Sequence, residues 1–288
     1  MTEMATTHER LTLAHSPCPN DTFVFHAWTH GLLPGAPETD VTLADIDITN
    51  SVAEEASLDV LKVSYGVLPY ILDDYALLPT GGALGRGCGP LVLLKEPGAP
   101  ADLSGARVAV PSTRSTAYLL FRLWAAHAVP DGVGEIVVLP FHDIMPSVRD
   151  GRVDAGLVIH EARFTYQRYG LHCLADMGEE WEKRTGLPIP LGAIVARRAL
   201  GERRIAEVTE AIRSSVRFAW DAPDASRDYV TEHAQEMAPA VIGQHIDLYV
   251  NSFTAGLGEE GYAAVTELLE RAAGEGLLPP VTQGALRL

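Results

Sequence analysis

The chain has 288 residues, 47% of them hydrophobic and 21% charged; it can bury one large core or two ordinary ones and is too apolar for a disordered polymer. Its formal net charge of −16, from 38 acidic against 22 basic residues, repels polyanions and excludes nucleic acid as the expected partner, while a small acid can still be held by local N–H groups. Cys18, Cys88 and Cys173 are odd in number and lack metal-type spacing, which argues against a disulfide framework and a zinc site.

The polar opening Met1–Arg10 has no apolar signal-type stretch, and no later segment offers roughly 18 uncharged apolar residues. The expectation is a cytoplasmic protein with no membrane partner. Leu11–Ser16 reads as a strand that runs into a Pro-Cys-Pro turn, with Asn20-Asp21-Thr22 as the N-cap cluster of the following helix. Val41–Asp47, Asp59–Ser64 and Ala76–Pro79 read as further short strands separated by helical pieces, the alternation of a mostly parallel sheet.

From Gly81 to Pro90 the glycine content predicts a loop. It lacks the Gly-Lys-Ser/Thr ending of a phosphate loop and the dinucleotide spacing, so neither ATP nor NAD is expected. Pro90–Lys95 reads as a strand. Glu96–Gly105, with two prolines and two glycines, is the expected first crossing between lobes. The second lobe then repeats the grammar: strand Arg107–Val110, helix Ser115–Ala128, strand Glu135–Leu139, helix Asp143–Asp150, strand Val153–Ile159 and Cys173–Asp176. Pro188–Pro190 and the apolar run Leu191–Ala196 read as the return crossing. Ile205–Trp220, Ser226–Gln235, Pro239–Val250 and Glu259–Ala273 have helical spacing and no sheet of their own to cover, so they must pack on the first one.

The expected fold class is α/β, a two-lobed periplasmic-binding-protein-like fold of type II, with two doubly wound domains around a central cleft. Residues 1–105 plus 193–288 would form the larger discontinuous domain with the helical C-terminal section, and 106–192 the smaller inserted one.

His160 lies at the carboxyl end of an apolar strand, where ligands collect in open α/β sheets, and an imidazole there can move a proton near neutral pH. A structural histidine bonded to the next loop is the alternative at this point. Two polar segments open helices after strands, Lys62-Val63-Ser64-Tyr65 and Ser112–Tyr118. Each gathers hydroxyls and orphan N–H groups that can hold a carboxylate. Asn20, Asp21 and Arg86 are further candidates, at a turn and in the glycine segment. The other histidines fall on apparent helix surfaces, in the N-terminal tail or in loops without acidic residues at ligand spacing, and no metal is assigned.

Ser16-Pro17-Cys18-Pro19-Asn20-Asp21-Thr22-Phe23, Lys62-Val63-Ser64-Tyr65, Gly81–Gly87, Ser115-Thr116-Ala117-Tyr118 and Ile159–Tyr166 together resemble, in order and spacing, the 1,4-dihydroxy-6-naphthoate synthase family. Arg184–Gly192 and Tyr249-Val250-Asn251 extend the likeness over nearly the whole chain. The resemblance implies an enzyme of the futalosine route to menaquinone that acts on cyclic dehypoxanthine futalosine without a cofactor. It implies His160 as the catalytic base, and Lys62, Val63, Ser64, Ser115 and Thr116 as residues contacting a small carboxylate substrate. A non-catalytic binder or sensor and the related chorismate dehydratase remain open on the same scaffold.

Overall fold

The two α/β patterns fold into two five-stranded sheets in the computed structural model, which describes residues 10–234, 238–282 and 284–287. The first lobe is laid down as β1 (Leu11–His15), α1 (Pro19–Thr29), β2 (Thr39–Leu43), α2 (Ile46–Glu54), β3 (Val60–Ser64), a short α3 (Leu68–Ile71) and β4 (Tyr75–Gly85). The second follows as β5 (Leu91–Leu94), β6 (Val108–Val110), α4 (Thr116–Ala128), β7 (Ile136–Val138), α5 (Phe141–Arg149), β8 (Ala155–Val158), α6 (Ala162–Thr165), β9 (His172–Asp176) and α7 (Met177–Thr185). The chain returns through β10 (Ile189–Arg197) and ends in α8 (Gly201–Asp221), α9 (Arg227–His233), α10 (Pro239–Tyr249), α11 (Ser252–Ala255) and α12 (Gly258–Gly274). Gln235, the expected end of the ninth helix, and the opening tail up to Glu9 lie outside the described residues.

The strand orders are β2-β1-β3-β10-β4 and β7-β6-β8-β5-β9. In each sheet four strands run the same way, and the one that runs against them, β10 or β5, is the strand that has just arrived from the other lobe. This corrects the expected crossing. Leu91–Leu94 is buried along its whole length and pairs antiparallel with β8 and β9, so the chain leaves the first lobe between Gly85 and Leu91, not within Glu96–Gly105. The N–H and C=O groups along both edges of a buried strand need partners, and β8 and β9 of the second sheet supply them. Leu191–Ala196 is likewise no linker but the middle of β10, between β3 and β4.

The glycine segment is also reassigned: Gly81, Gly82 and Gly85 lie inside β4, and the loop is confined to the residues between Gly85 and Leu91. Gly81 has φ +81, and a Cβ there would sit 2.7 Å from Ile212 Cγ2 and 3.0 Å from Ile194 Cγ1. Glycine lets the strand turn while α8 packs down on it. Gly81→Ala combines a left-handed backbone with overpacking, so its unfolding free energy in urea is expected to fall by about 2–4 kcal/mol with the slope unchanged.

The C-terminal helices cover the first sheet as anticipated. Val208, Ile212 and Val216 of α8 join Phe25 and Trp28 of α1 and Leu78 of β4 in one buried cluster. Ser215 Oγ donates to the Val24 carbonyl at 2.6 Å and accepts from Trp28 N–H. A second cluster spans both lobes, with Tyr65, Leu119, Leu120, Ala193 and Leu268 among its members, so the lobes share a core on one side of the cleft. Among the described residues no helix is long and apolar enough to cross a membrane.

Candidate active site

The carboxyl ends of β1 and β3 in one lobe face those of β6 and β8 in the other, as expected for ligand sites in open α/β sheets. Between them lies a cleft lined from the first lobe by Asn20, Asp21, Lys62, Ser64, Gly192, His245 and Tyr249, and from the second by Ser115, Thr116, Ala117, Ile159 and His160. Gly192 is needed for close passage: a Cβ there would lie 2.8 Å from Lys62 Cε, in the path of that side chain.

Asn20 and Asp21 do not form the cap of α1. The helix starts one residue earlier, at Pro19 behind Cys18, because proline is already set for the first helical position. Their side chains are thereby released into the cleft. Asp21 accepts from Lys62 Nζ at 2.6 Å, from Asn20 Nδ2 at 2.8 Å and from Ser16 Oγ at 2.7 Å. The Lys62–Asp21 pair is almost wholly buried, with side chains 5% and 4% exposed. Burial pushes the Asp21 carboxyl up, but Lys62, His15 and the hydrogen bonds from Lys62 and Ser16 outweigh it and hold it below the ordinary carboxylate range.

Ser64 ends β3 and is oriented by Asn50 of α2, a residue the sequence did not single out. Asn50 Oδ1 accepts from Ser64 N–H at 2.8 Å, so its Nδ2 donates to Ser64 Oγ at 3.0 Å. That leaves the Ser64 hydroxyl proton to offer to a ligand. Val63, between the two, does not line the cleft; its side chain is fully buried in the core, since alternate strand residues face opposite ways.

Across the cleft, Ser115 caps α4 by accepting from Tyr118 N–H and donates to the Ser112 carbonyl. The Thr116 hydroxyl donates to the Leu191 carbonyl at 2.7 Å and accepts from Gly66 N–H, tying the two lobes together. Both hydroxyls are thus engaged in the protein. What this helix end presents to the cleft is backbone: the N–H groups of Thr116 and Ala117, the first two of α4, have no intrahelical acceptor. They point to a carboxylate acceptor by the physics of helix N-termini.

His160 follows β8 with φ +54, a left-handed conformation rare for a residue with a side chain. Such strain persists only where the surroundings impose it. Its Nδ1 lies 3.3 Å from Cys18 Sγ of the opposite lobe, and Phe141 meets the ring edge-on at 5.5 Å. Burial lowers its pKa to about 4, with Asp21 opposing the shift, so the imidazole is neutral at physiological pH. Burial likewise pushes the Cys18 thiol well up, helped by the Glu161 charge. Cys18, His160 and Glu161 each offer one donor atom, all within 4.8 Å of one another, spacing that could hold a zinc-like cation. Such an ion would occupy the imidazole lone pair and compete with proton transfer at that ring.

His245, read from the sequence as a surface histidine, is 1% exposed and lines the cleft. Its ring is stacked with that of His160 at 6.4 Å and tilted against Tyr249 at 4.6 Å. The only sequence signal for it was its apolar helical neighbourhood. Arg86 lies outside the cleft. It bridges Glu182 of α7 at 3.3 Å, the Gly186 carbonyl at 3.0 Å and Glu260 of α12 at 2.8 Å, clasping the two lobes at the crossing. Because these pairs are solvent-exposed, Arg86→Ala is expected to lower the unfolding free energy by only about 0.2–1 kcal/mol, less at high salt, and to leave ligand binding unchanged in calorimetry.

Comparison with known proteins bears on this geometry. The family described as Menaquinone biosynthesis matches residues 11–274. A Streptomyces coelicolor protein named 1,4-dihydroxy-6-naphthoate synthase is 71% identical over 278 residues, covering 96% of this chain and 98% of the relative. A Thermus thermophilus protein of the same name is 46% identical over 272 residues, covering 94% and 97%. Among solved structures, a protein from Archaeoglobus fulgidus superposes with a TM-score of 0.87 at 35% identity, over 95% of this chain and 100% of that one. The periplasmic aliphatic sulphonate-binding protein of Escherichia coli superposes at 0.67 and 16% identity over 94% and 89%, a likeness of fold alone. The fold is therefore periplasmic-binding-protein-like, and the chain belongs to the menaquinone biosynthesis family.

Proposed function

We propose that this protein is a cytoplasmic 1,4-dihydroxy-6-naphthoate synthase, a carbon–carbon lyase that converts cyclic dehypoxanthine futalosine to 1,4-dihydroxy-6-naphthoate with no cofactor and with His160 as general base. The observation that carries the reading is the strained, neutral His160 lining one cleft together with the N-terminal end of α4, in a chain whose near-full-length relatives bear that enzyme's name. The boundaries we assign to the lobes are residues 11–85 with 189–287 for the larger and 91–185 for the smaller.

In this reading the substrate carboxylate takes the N–H groups of Thr116 and Ala117 and the hydroxyl of Ser64. Each charge-assisted bond contributes on the order of 1.5–3 kcal/mol before desolvation. His160 removes a proton from the sugar-derived part through Nε2, its Nδ1–H held on Cys18 Sγ. The electrons released break a carbon–carbon bond as the naphthoate ring becomes aromatic. A general base contributes roughly 10²–10⁴-fold, and orientation with exclusion of water between the lobes supplies the rest. The test is incubation of the purified protein with cyclic dehypoxanthine futalosine and, separately, with chorismate. Appearance of the naphthoate is expected. Turnover of chorismate would make it a dehydratase instead, and binding without turnover of either would make it a sensor.

A further inference from the structure

A chain of hydrogen bonds runs from Lys62 to His245, and its direction is fixed from the charged end. Lys62 carries only donors, so Asp21 Oδ1 accepts from it at 2.6 Å. The carboxylate is acceptor-only and must also accept from Asn20 at 2.8 Å, which turns the Asn20 NH2 toward Asp21. Asn20 Oδ1 is then the atom facing His245 Nε2 at 2.9 Å, and an oxygen can only accept there. His245 Nε2 therefore carries the proton and Nδ1 the lone pair. That Nδ1 is buried and has no hydrogen-bond partner among the described residues, in a side chain 1% exposed on the wall of the cleft. Tyr249 and His160 pack against the ring and hold its plane.

From this we infer that His245 Nδ1 is a substrate-binding acceptor that receives a hydrogen bond from a hydroxyl of the substrate's sugar-derived ring, the end of the molecule remote from its carboxylate. The inference rests on the function proposed above. The chemistry selects a hydroxyl. A bare imidazole nitrogen repels a carboxylate, and an ammonium group there would feel the Lys62 charge, which already disfavours a cation at this ring. Burial lowers the His245 pKa to about 3, which keeps Nδ1 an acceptor at neutral pH. The unmade bond costs stability in the empty protein, and a ligand hydroxyl supplies the missing partner on binding. The cleft is thereby given a polarity, with an anion end at α4 and a hydroxyl end at α10, and His160 between them as the reacting group.

The test uses the full-length protein, cyclic dehypoxanthine futalosine, and analogues lacking one ring hydroxyl each. His245→Phe keeps the ring and its packing but removes the acceptor; His245→Asn restores an acceptor close to the position of Nδ1. Loss of one hydroxyl should raise KM of the wild type by roughly ten- to hundredfold, with a smaller change in kcat. The same loss should have no effect in His245→Phe, and the Asn variant should recover part of the discrimination. Long-range 1H–15N spectra of the unliganded protein should give a protonated Nε2 and a bare Nδ1 for His245, and Asn20→Ala should release that preference. A protonated Nδ1 in the wild type, or a His245→Phe variant that folds normally yet still discriminates every analogue as wild type does, overturns the assignment of His245 while leaving the synthase reading intact. Absence of any binding or turnover of the parent compound by wild type overturns the synthase reading, and this role of His245 falls with it.

Discussion

His160→Asn is expected to lower kcat by about 10²–10⁴-fold while substrate affinity stays within a few-fold of wild type. Asparagine is the informative replacement because position 160 has φ +54, and asparagine tolerates the left-handed region where alanine adds strain of roughly 1–2 kcal/mol. The His160→Asn variant therefore separates loss of the base from collapse of the turn that presents it. Naphthoate formation and calorimetric binding, measured on the same preparation, check it. A fall in affinity as large as the fall in kcat would make His160 a binding residue. The pH dependence carries the same argument. With the pKa lowered to about 4 by burial, kcat/KM should stay level from about pH 5 upward and fall only as the ring protonates near pH 4, since that limb reports the free protein. A limb near the ordinary value of about 6.5 would mean a solvated imidazole and an open cleft.

Lys62→Met should destabilise the protein by about 3–5 kcal/mol at neutral pH, the cost of leaving a buried charge without its partner. The mutation strands the Asp21 carboxylate beside Asn20 and Ser16 with no cation in contact. The sign with pH follows from the folded state. In the wild type the Asp21 pKa lies below its ordinary value, so its contribution is present above the unfolded pKa of about 3.9 and is lost as pH falls through the lower folded value. In Lys62→Met the largest opposing influence on burial is gone and only His15 and the hydrogen bonds from Ser16 and Asn20 still favour the charge, so that carboxyl rises relative to wild type, the variant gives up its charge first and the difference from wild type narrows toward pH 4. Denaturant unfolding at pH 7, 5 and 4 reads this directly, and a pH-independent difference would refute a charge-based role for the pair. Asp21→Leu combined with Lys62→Met removes both charges and should recover much of the stability. It should not recover substrate binding, because Asn20 then has no carboxylate to turn it toward His245.

Much of the fold was legible in the chain because short-range rules write it. Short apolar runs bounded by turn residues placed β1, β3, β6 and β8 within a residue or two, proline and hydroxyl residues marked the helix starts, and uncovered apolar helices at the end had to return to the first sheet. The same rules put Ser64 and His160 at or just past strand ends, Lys62 two residues before Ser64, and Ser115 and Thr116 at a helix start, and these meet in one cleft. Period two also carried the information that Val63 faces away from Lys62 and Ser64.

What only the tertiary structure decided concerns partners distant in sequence. Local patterning identifies Leu91–Leu94 as a buried strand but not which sheet completes it; pairing with β8, more than sixty residues on, settled that. Cys18 reaches His160 across 142 residues and Asn20 reaches His245 across 225. A histidine in an apolar helix reads alike whether it caps a surface or closes a cleft. Arg86 resembled a ligand clamp until α7 and α12 supplied its acids. The sequence determined which segments are helix and strand, since those follow from backbone sterics and residue period. The lobe crossing, the left-handed turn at His160 and the bare nitrogen of His245 depend on which surfaces come together, and that was fixed only when the two sheets packed around their shared core.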